Sequence, residues 1–180
     1  VWAALVIPAG RVADLYGKYK TLITGLLLFM AGSAVTGLGH SIEVLIFGRI
    51  LQGVGAAVFT APCWASIFTL VPPEKQGFVM GVIISFCGLG LATGPTIAGL
   101  IIEEISWRWI FYVNIPLGVI VIAILMLYAP KEVLPEEKQK IDGVGALLLA
   151  SGLCISVYGL NQIEILGAAS TQFWSILSLG

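Results

Sequence analysis

The segment between Phe78 and Ile102 carries no charged side chain, although it is rich in glycine and contains Pro95. Val, Ile, Leu and Phe fill the positions between the glycines, a combination that is unusual for a loop in water. In a lipid bilayer the backbone has to satisfy its own hydrogen bonds, so an apolar stretch of about 20 residues is helical. The sequence therefore predicts a membrane-spanning helix over this segment.

Similar apolar runs occupy most of the 180 residues, and charged residues make up 11% of the chain, against about 25% in soluble domains. We therefore expect an all-α polytopic membrane protein with about five complete spans and two partial ones. The predicted segments are 1–9 (the end of a span), 21–38, 43–70, 78–102, 109–129, 143–161 and a further start at residue 173. Since the chain begins at Val1 and ends within an apolar run, we expect it to be part of a longer protein.

The polar breaks between these runs alternate in their content of basic residues. Seven of the nine Lys and Arg residues lie in the breaks at 10–20, 72–77 and 130–142, whereas the intervening breaks contain only Arg108. By the positive-inside rule, the basic breaks are cytoplasmic. The net charge of −1 gives no reason to expect a nucleic-acid partner.

No residue pattern in the chain indicates catalysis or metal binding. Cys63, Cys87 and Cys154 lie in apolar runs without the spacing of metal ligands, and His40 is the only histidine. The glycine pairs at 53 and 55 and at 88 and 90 lack the third glycine and the preceding strand of a nucleotide-binding fingerprint. We therefore expect no enzyme activity, no metal and no cofactor.

Small residues in the 78–102 helix predict close packing against two neighbouring helices. The small residues that mark its two faces include Gly81, Gly90, Gly94, Ala98 and Gly99. Pro95 lacks an amide hydrogen, so the carbonyl of Leu91 loses its partner and the helix should bend there. A bend between two smooth faces is suited to a pivot.

The order of these residues resembles the fifth helix of antiporters in the major facilitator superfamily. In that helix, Gly is followed after eight other residues by a second Gly, after three more by Gly-Pro, and after two more by Gly-Gly. The matching residues here are Gly81, Gly90, Gly94, Pro95, Ala98 and Gly99. Ala98 is the one departure from the pattern. The resemblance implies a pivot in this helix, and a glycine-rich packing helix is the alternative.

Arg49 lies about two turns from Glu43 in an otherwise uncharged helix. A guanidinium in a membrane is costly without water or a partner, so we expect Arg49 to face a cavity, with Gln52 and Thr60 on the same stripe. Arg cannot donate its proton, but it can lower the pKa of a neighbouring acid. The alternative is that Arg49 reaches the outer surface. Residues 46–57 also resemble the superfamily's fourth helix, whose Arg is tied to proton coupling in antiporters.

The first basic break predicts a cytoplasmic loop in which Gly10 and Gly17 permit tight backbone geometry and Lys18 holds the cytoplasmic side. It resembles the superfamily's loop between the second and third helices, although Leu15 follows Asp14 where many members carry a basic residue. The resemblance implies that Asp14 helps to latch the inner gate with a basic neighbour. A charged turn that only sets topology is the alternative.

The segment that opens the 109–129 span contains Trp107, Arg108, Asn114 and Pro116. Aromatic residues anchor helices at the membrane interface, and proline suits the first turn of a helix. We expect these residues to form an outer anchor, in which Arg108 can pair with Glu103 or Glu104. The pattern resembles the fourteen-span drug:proton antiporter branch of the superfamily.

The resemblance covers the chain from Gly10 to Asn161 and implies a partial major-facilitator-type helical bundle. Residues 1–129 would belong to the amino-terminal six-helix bundle, from the end of span 2 through span 6. Residues 130–142 would form a short cytoplasmic linker, and residues 143–180 would form extra linking spans, namely span 7 and the start of span 8.

The implied function is proton-coupled efflux of small amphipathic or cationic compounds by alternating access. The expected partners are a small-molecule substrate, protons and the lipid bilayer, in a monomeric protein of the plasma or bacterial inner membrane. One alternative is a facilitator or symporter of a metabolite on the same fold, against which the Gly-Pro pattern argues. The other is a non-transporting scaffold or sensor, in which a costly Arg49 would have no task.

Overall fold

A computed structural model of the protein describes residues 2–128 together with residues 145, 148, 151–153 and 155–157. The predicted linker at 130–142 lies outside the described residues, as does most of the segment predicted to follow it. Between residues 2 and 128 the chain forms helices α1 (Trp2–Tyr16), α2 (Lys18–Leu38), α3 (Ile42–Leu70), α4 (Pro73–Glu104), α5 (Trp109–Tyr112) and α6 (Asn114–Tyr128).

Four helical segments in this part of the chain are long and apolar enough to cross a membrane, namely Lys18–Leu38, Ile42–Leu70, Pro73–Glu104 and Trp109–Tyr128. They coincide with the spans predicted at 21–38, 43–70, 78–102 and 109–129. The α4 helix begins earlier than predicted because Pro73 stands in its first turn, where a missing amide hydrogen costs nothing. By the length and composition of these helices, the chain is a multi-pass helical membrane protein.

The loop predicted from Gly10 to Lys20 is helical apart from one residue. The α1 helix continues to Tyr16 and α2 starts at Lys18, so Gly17 alone separates them. Gly17 has φ 101°, a conformation that L side chains rarely adopt. The prediction of special geometry was correct for Gly17 and wrong for Gly10, which lies inside α1. The polar and charged residues of this segment are compatible with a helix. Gly17 alone interrupts the helix.

The α2 and α3 helices run antiparallel and touch through pairs of glycines. A Cβ atom on Gly32 would lie 2.8 Å from the Gly48 carbonyl oxygen, and one on Gly25 would lie 2.9 Å from the Gly55 carbonyl oxygen. In each pair, one glycine belongs to α2 and the other to α3. The two contacts are seven positions apart along each helix, so the backbones meet over about two helical turns. Phe29 and Phe59 pack edge to face beside this contact, with ring centroids 5.7 Å apart.

The α5–α6 segment packs against α2 through further glycines. The Tyr112 ring lies over Gly37, where a Cβ would come within 2.9 Å of the ring carbon Cδ1. Gly118 of α6 faces Met30, and a Cβ there would lie 2.7 Å from Met30 Cγ. The α1 helix packs mainly on α3, where Gly10 faces Ala61. The described core is therefore formed by α2 and α3, with α1 and α6 against them.

The α4 helix stands apart from this core. It has no buried residue, and its contacts within the described chain are with α3 and α5, its neighbours in sequence. A Cβ added at any of Gly81, Gly90, Gly94 or Gly99 would meet nothing within 4 Å. The packing predicted for the two small-residue faces therefore has no partner helix among residues 2–128.

Replacing Gly32 by Val should lower the free energy of unfolding by about 2–3 kcal/mol, because the new side chain would collide with the α3 backbone. The measurement is reversible unfolding of the purified protein in mixed micelles. Gly77→Val is the matched control, since nothing lies within 4 Å of a Cβ atom added at Gly77. Equal stability of the two variants would contradict the close approach of α2 and α3.

Candidate functional site

A pocket of about 290 Å³ lies where α2, α3 and the α5–α6 segment meet. Its wall includes Phe29 from α2, Arg49, Gln52 and Ala56 from α3, and Phe111 and Asn114 from α5 and α6. The three α3 residues follow the helical period, so one face of that helix supplies the polar wall. This is the stripe that the sequence predicts to face a cavity.

Arg49 presents its guanidinium to this pocket without an ionic partner. The guanidinium carbon lies 4.6 Å from the centroid of the Phe111 ring. Among the residues that the structure describes, Arg49 makes no interaction other than this cation–π contact. Such contacts contribute roughly 0.5–1 kcal/mol at exposed sites. The N–H donors of Arg49 therefore remain available to a group that enters the pocket.

Gln52 is deeply buried, with 6% of its surface exposed. Its side-chain amide nitrogen, Nε2, donates a 2.7 Å hydrogen bond to the Oγ atom of Ser33, which is fully buried on α2. The carbonyl oxygen of the same side chain, Oε1, is buried and has no partner among the described residues. The pocket wall thus contains a fixed amide with one free acceptor.

Asn114 joins the same group from α6. Its Nδ2 atom lies 3.5 Å from Ser33 Oγ and 3.4 Å from the carbonyl oxygen of Ile110. Asn114 starts α6 directly after the turn at Val113, and Pro116 follows two residues later without an amide hydrogen. The sequence assigns Asn114 to an outer anchor, whereas its side chain lies on the pocket wall.

Ser33 was not among the residues selected from the sequence. The available signal was its position on α2 next to Gly32 and three residues before Thr36, in a set of small and polar residues that are buried. Such a set predicts helix contact in a membrane. It does not identify which residue of another helix the hydroxyl would meet.

Thr60 does not line this pocket. It lies eight residues after Gln52 on α3 and is half-buried. The predicted polar stripe therefore lines the pocket at Arg49, Gln52 and Ala56 and continues beyond it at Thr60.

The predicted gate residues lie at the opposite end of α2. Asp14 is exposed near the end of α1, and Lys18 begins α2. A cavity of about 440 Å³ beside them is lined by residues that include Val12, Tyr16 and Lys20. The helix break at Gly17 lies between Asp14 and Lys18, which are four positions apart in the sequence.

Arg108 makes different contacts from those expected. Its guanidinium lies over the Trp107 ring, 4.6 Å from the centroid, and Nη2 lies 3.4 Å from both the Gly39 carbonyl oxygen and Nδ1 of His40. The predicted pairing with Glu103 or Glu104 was wrong. The α2–α3 turn approaches Arg108 from a distant part of the sequence, so its carbonyl and imidazole replace the nearby carboxylates.

No group of three or more His, Cys, Asp or Glu residues suited to a metal occurs in the described chain. Cys63 and Cys87 are free thiols on exposed positions. The chemistry available at the pocket is therefore hydrogen bonding and the positive charge of Arg49.

Comparison with known proteins places this chain within one family. The model of the Major Facilitator Superfamily matches residues 2–179. Multidrug resistance protein 3 of Bacillus subtilis is 35% identical over 167 residues, which cover 88% of this chain and 32% of that protein.

Two further relatives show similar coverage. Multidrug resistance protein Stp of Mycobacterium tuberculosis is 33% identical over 94% of this chain and 32% of its own length. Riboflavin transporter RibZ of Clostridioides difficile is 30% identical over 90% of this chain and 36% of its own length. The chain spans about one third of the length of the curated relatives it matches.

Replacing Arg108 by Leu should loosen the α2–α3 turn, because its hydrogen bonds to Gly39 and His40 are lost. A loss of about 1 kcal/mol corresponds to roughly fivefold faster amide exchange in that turn. Hydrogen-exchange mass spectrometry of a peptide covering the turn measures it. Glu103→Gln is the control and should leave the exchange unchanged. If both substitutions accelerated exchange to a similar extent, the result would support the ion pair between Arg108 and Glu103 that the sequence predicts.

Proposed function

The chain belongs to the major facilitator superfamily, and we propose that it forms part of an exporter that passes small amphipathic or cationic compounds outward in exchange for protons. The parent would belong to the fourteen-span drug:proton antiporter branch. Residues 1–129 would contribute to its amino-terminal bundle, residues 130–142 to a cytoplasmic linker, and residues 143–180 to the extra linking spans.

The observation that carries this proposal is the position of Arg49. Its guanidinium lies on the wall of the pocket between α2, α3 and the α5–α6 segment and contacts the Phe111 ring, with no carboxylate beside it among the described residues. A permanent charge in a membrane segment is costly and is a functional-site hypothesis by default. Arg49 can lower the pKa of an acid that approaches the pocket, and this acid can then release its proton when substrate binds.

The relatives support export as the direction of transport. Two of them are named multidrug resistance proteins, of Bacillus subtilis and Mycobacterium tuberculosis. Because this chain corresponds to about one third of their length, export is proposed for the whole protein in which it acts, with the second bundle completing the substrate cavity.

We assign roles to the predicted residues within an alternating-access cycle. Arg49 would serve proton coupling, and Gln52 and Thr60 would line the path of the substrate. Asp14, with Arg11 or Lys18, would help to close the inner side. Two helical bundles would rock about a site near the midplane of the membrane.

A second candidate is a facilitator or symporter of a metabolite on the same fold. Riboflavin transporter RibZ is a relative at 30% identity, and its name indicates a vitamin as the transported compound. A scaffold or sensor without transport is a weaker alternative, because it gives no task to the charge of Arg49.

Substrate-dependent proton release tests the proposed function. The full-length protein is placed in inside-out vesicles whose lumen is acidified by respiration and monitored with a pH-sensitive dye. Lipophilic cations such as tetraphenylphosphonium should trigger proton release, and Arg49→Ala should abolish it. Arg49→Lys keeps the charge and separates charge from hydrogen-bonding geometry. Transport of a compound without proton movement would favour the facilitator.

Replacing Pro95 by Ala should reduce export at least several-fold while leaving the amount of inserted protein unchanged. Alanine at position 95 has a backbone N–H group, which can donate a hydrogen bond to the Leu91 carbonyl oxygen. The bend that a pivot requires is then removed. The measurement is the initial rate of tetraphenylphosphonium export. Pro73→Ala is the matched control, because Pro73 lies in the first turn of the same helix. Unchanged export by Pro95→Ala would refute the pivot.

A further inference from the structure

We propose that the cavity where α1 meets α2 binds an anionic phospholipid, whose phosphate lies against Lys20 and whose acyl chains follow α2 into the membrane. The cavity has a volume of about 440 Å³, within the range of small-molecule sites, roughly 300–1,000 Å³. It shares no lining residue with the pocket at Arg49. The proposal therefore goes beyond the transported compound and its coupling to protons.

The cavity has a polar side and an apolar side, which come from different helices. The α2 side contains Lys20 and Thr24. The α1 and α3 sides contain Val12, Leu15 and Val58, which offer no side-chain donor. A charge beside an apolar surface suits an amphiphile, whereas a hydrated soluble ion would gain nothing from the apolar side. The cavity is thus suited to a lipid.

Lys20 brings a positive charge to which no described residue is paired. Its ammonium group makes no hydrogen bond or ion pair in the described part of the chain. Among the residues that the structure describes, no acidic side chain lines the cavity. Asp14 is the acid nearest to Lys20 in sequence, but it lies two positions from both Val12 and Tyr16, about 200° around α1 from each. The cavity therefore favours an anionic head group, since the cation of a zwitterionic head would find no acid there.

One face of α2 follows the polarity of a phospholipid from head group to acyl chain. Lys20, Thr24 and Leu27 recur at the helical spacing, so their side chains share this face. All three are exposed, and Leu27 has 53% of its surface accessible. The membrane-spanning segment begins at Lys18, and Thr24 and Leu27 lie about 6 Å and 10 Å beyond Lys20 along the helix axis. The charge is thus at the level of the head groups and Leu27 at the level of the acyl chains.

Tyr16 brings a second helix to the head-group level. It ends α1, has 60% of its surface exposed and lines the same cavity as Lys20. Tyrosine is enriched at the membrane interface, and its hydroxyl can donate to a phosphate oxygen. Only Gly17 separates the two helices. A phosphate that contacts both side chains would therefore connect the end of α1 to the start of α2, as anionic head groups do in basic pockets between membrane helices.

Two lipids with the same acyl chains test the site. The full-length protein in a mild detergent is titrated with dioleoylphosphatidylglycerol and with dioleoylphosphatidylcholine. Native mass spectrometry measures the dissociation constant of the first bound lipid in each titration. The two head groups share the phosphate and differ in net charge. Phosphatidylglycerol should bind about fivefold more tightly, which is the contribution of one lysine near a membrane surface.

Variants assign this preference to the cavity. Lys20→Gln should bring the ratio of the two dissociation constants to about one, and Lys20→Arg should keep the wild-type ratio because the charge is kept. Lys75→Gln is the matched control. Lys75 lies near the start of α4, on the same side of the membrane as Lys20 because α2 and α3 run antiparallel, and it does not line the cavity.

A further variant separates the cavity from the charge of the surface. Thr24→Trp fills the cavity at an exposed position, and the Thr24 hydroxyl bonds only to the Lys20 carbonyl oxygen of its own helix. Phosphatidylglycerol should bind more weakly to this variant, although every charge is retained. Unchanged binding would mean that the lipid lies elsewhere and would overturn the proposal.

Three other outcomes would also overturn it. They are equal binding of the two lipids by the wild-type protein, a preference that survives Lys20→Gln, and an equal loss of preference in Lys75→Gln. Glycerophosphoglycerol, the head group without acyl chains, is added in excess and should leave the lipid bound. Displacement would mean that the cavity takes a soluble phosphodiester instead. Substrate-dependent proton release is measured separately, so failure of the lipid site and failure of antiport are distinguishable.

Discussion

The contact between the backbones of α2 and α3 is the constraint on which the rest of the described structure depends. A bilayer supplies little hydrophobic driving force for helix association, so tight van der Waals packing and hydrogen bonds between helices have to provide it. The glycines at Gly25 and Gly32, opposite Gly55 and Gly48, allow this approach. Larger residues at these positions would separate the helices and remove the hydrogen bond between Ser33 and Gln52.

The pocket follows from the same approach. With α2 and α3 in contact, the polar side of α3 is exposed along one edge, and the α5–α6 segment closes this edge with Phe111 and Asn114. The turn at Val113 allows Asn114 to bond to the Ile110 carbonyl oxygen and also to lie beside Ser33. Packing between three helices thus places a charge, an amide and an aromatic ring around one space without a loop in the pocket wall.

Hydropathy was sufficient to predict the four described spans, because the bilayer imposes length and apolar character on each segment separately. Periodicity along α3 also predicted that Arg49 and Gln52 share a pocket wall. Hydropathy and periodicity did not predict which residues of different helices contact each other. The partner of Ser33 lies 19 residues away, and the contact of Arg108 with Gly39 spans 69 residues. The roles of Asp14 and Pro95 remain predictions, since both depend on movement or on neighbours outside the described residues.

The turn between α2 and α3, residues 39–41, has a consequence for how the protein assembles in the membrane. Closing so short a connection costs little chain entropy, and the glycine contacts lie at short sequence separation from it. The α2–α3 hairpin can therefore form as soon as both helices have left the ribosome and entered the bilayer. Helices synthesised later would then add to a preformed pair, and substitutions at its glycines would act at the step in which this pair forms.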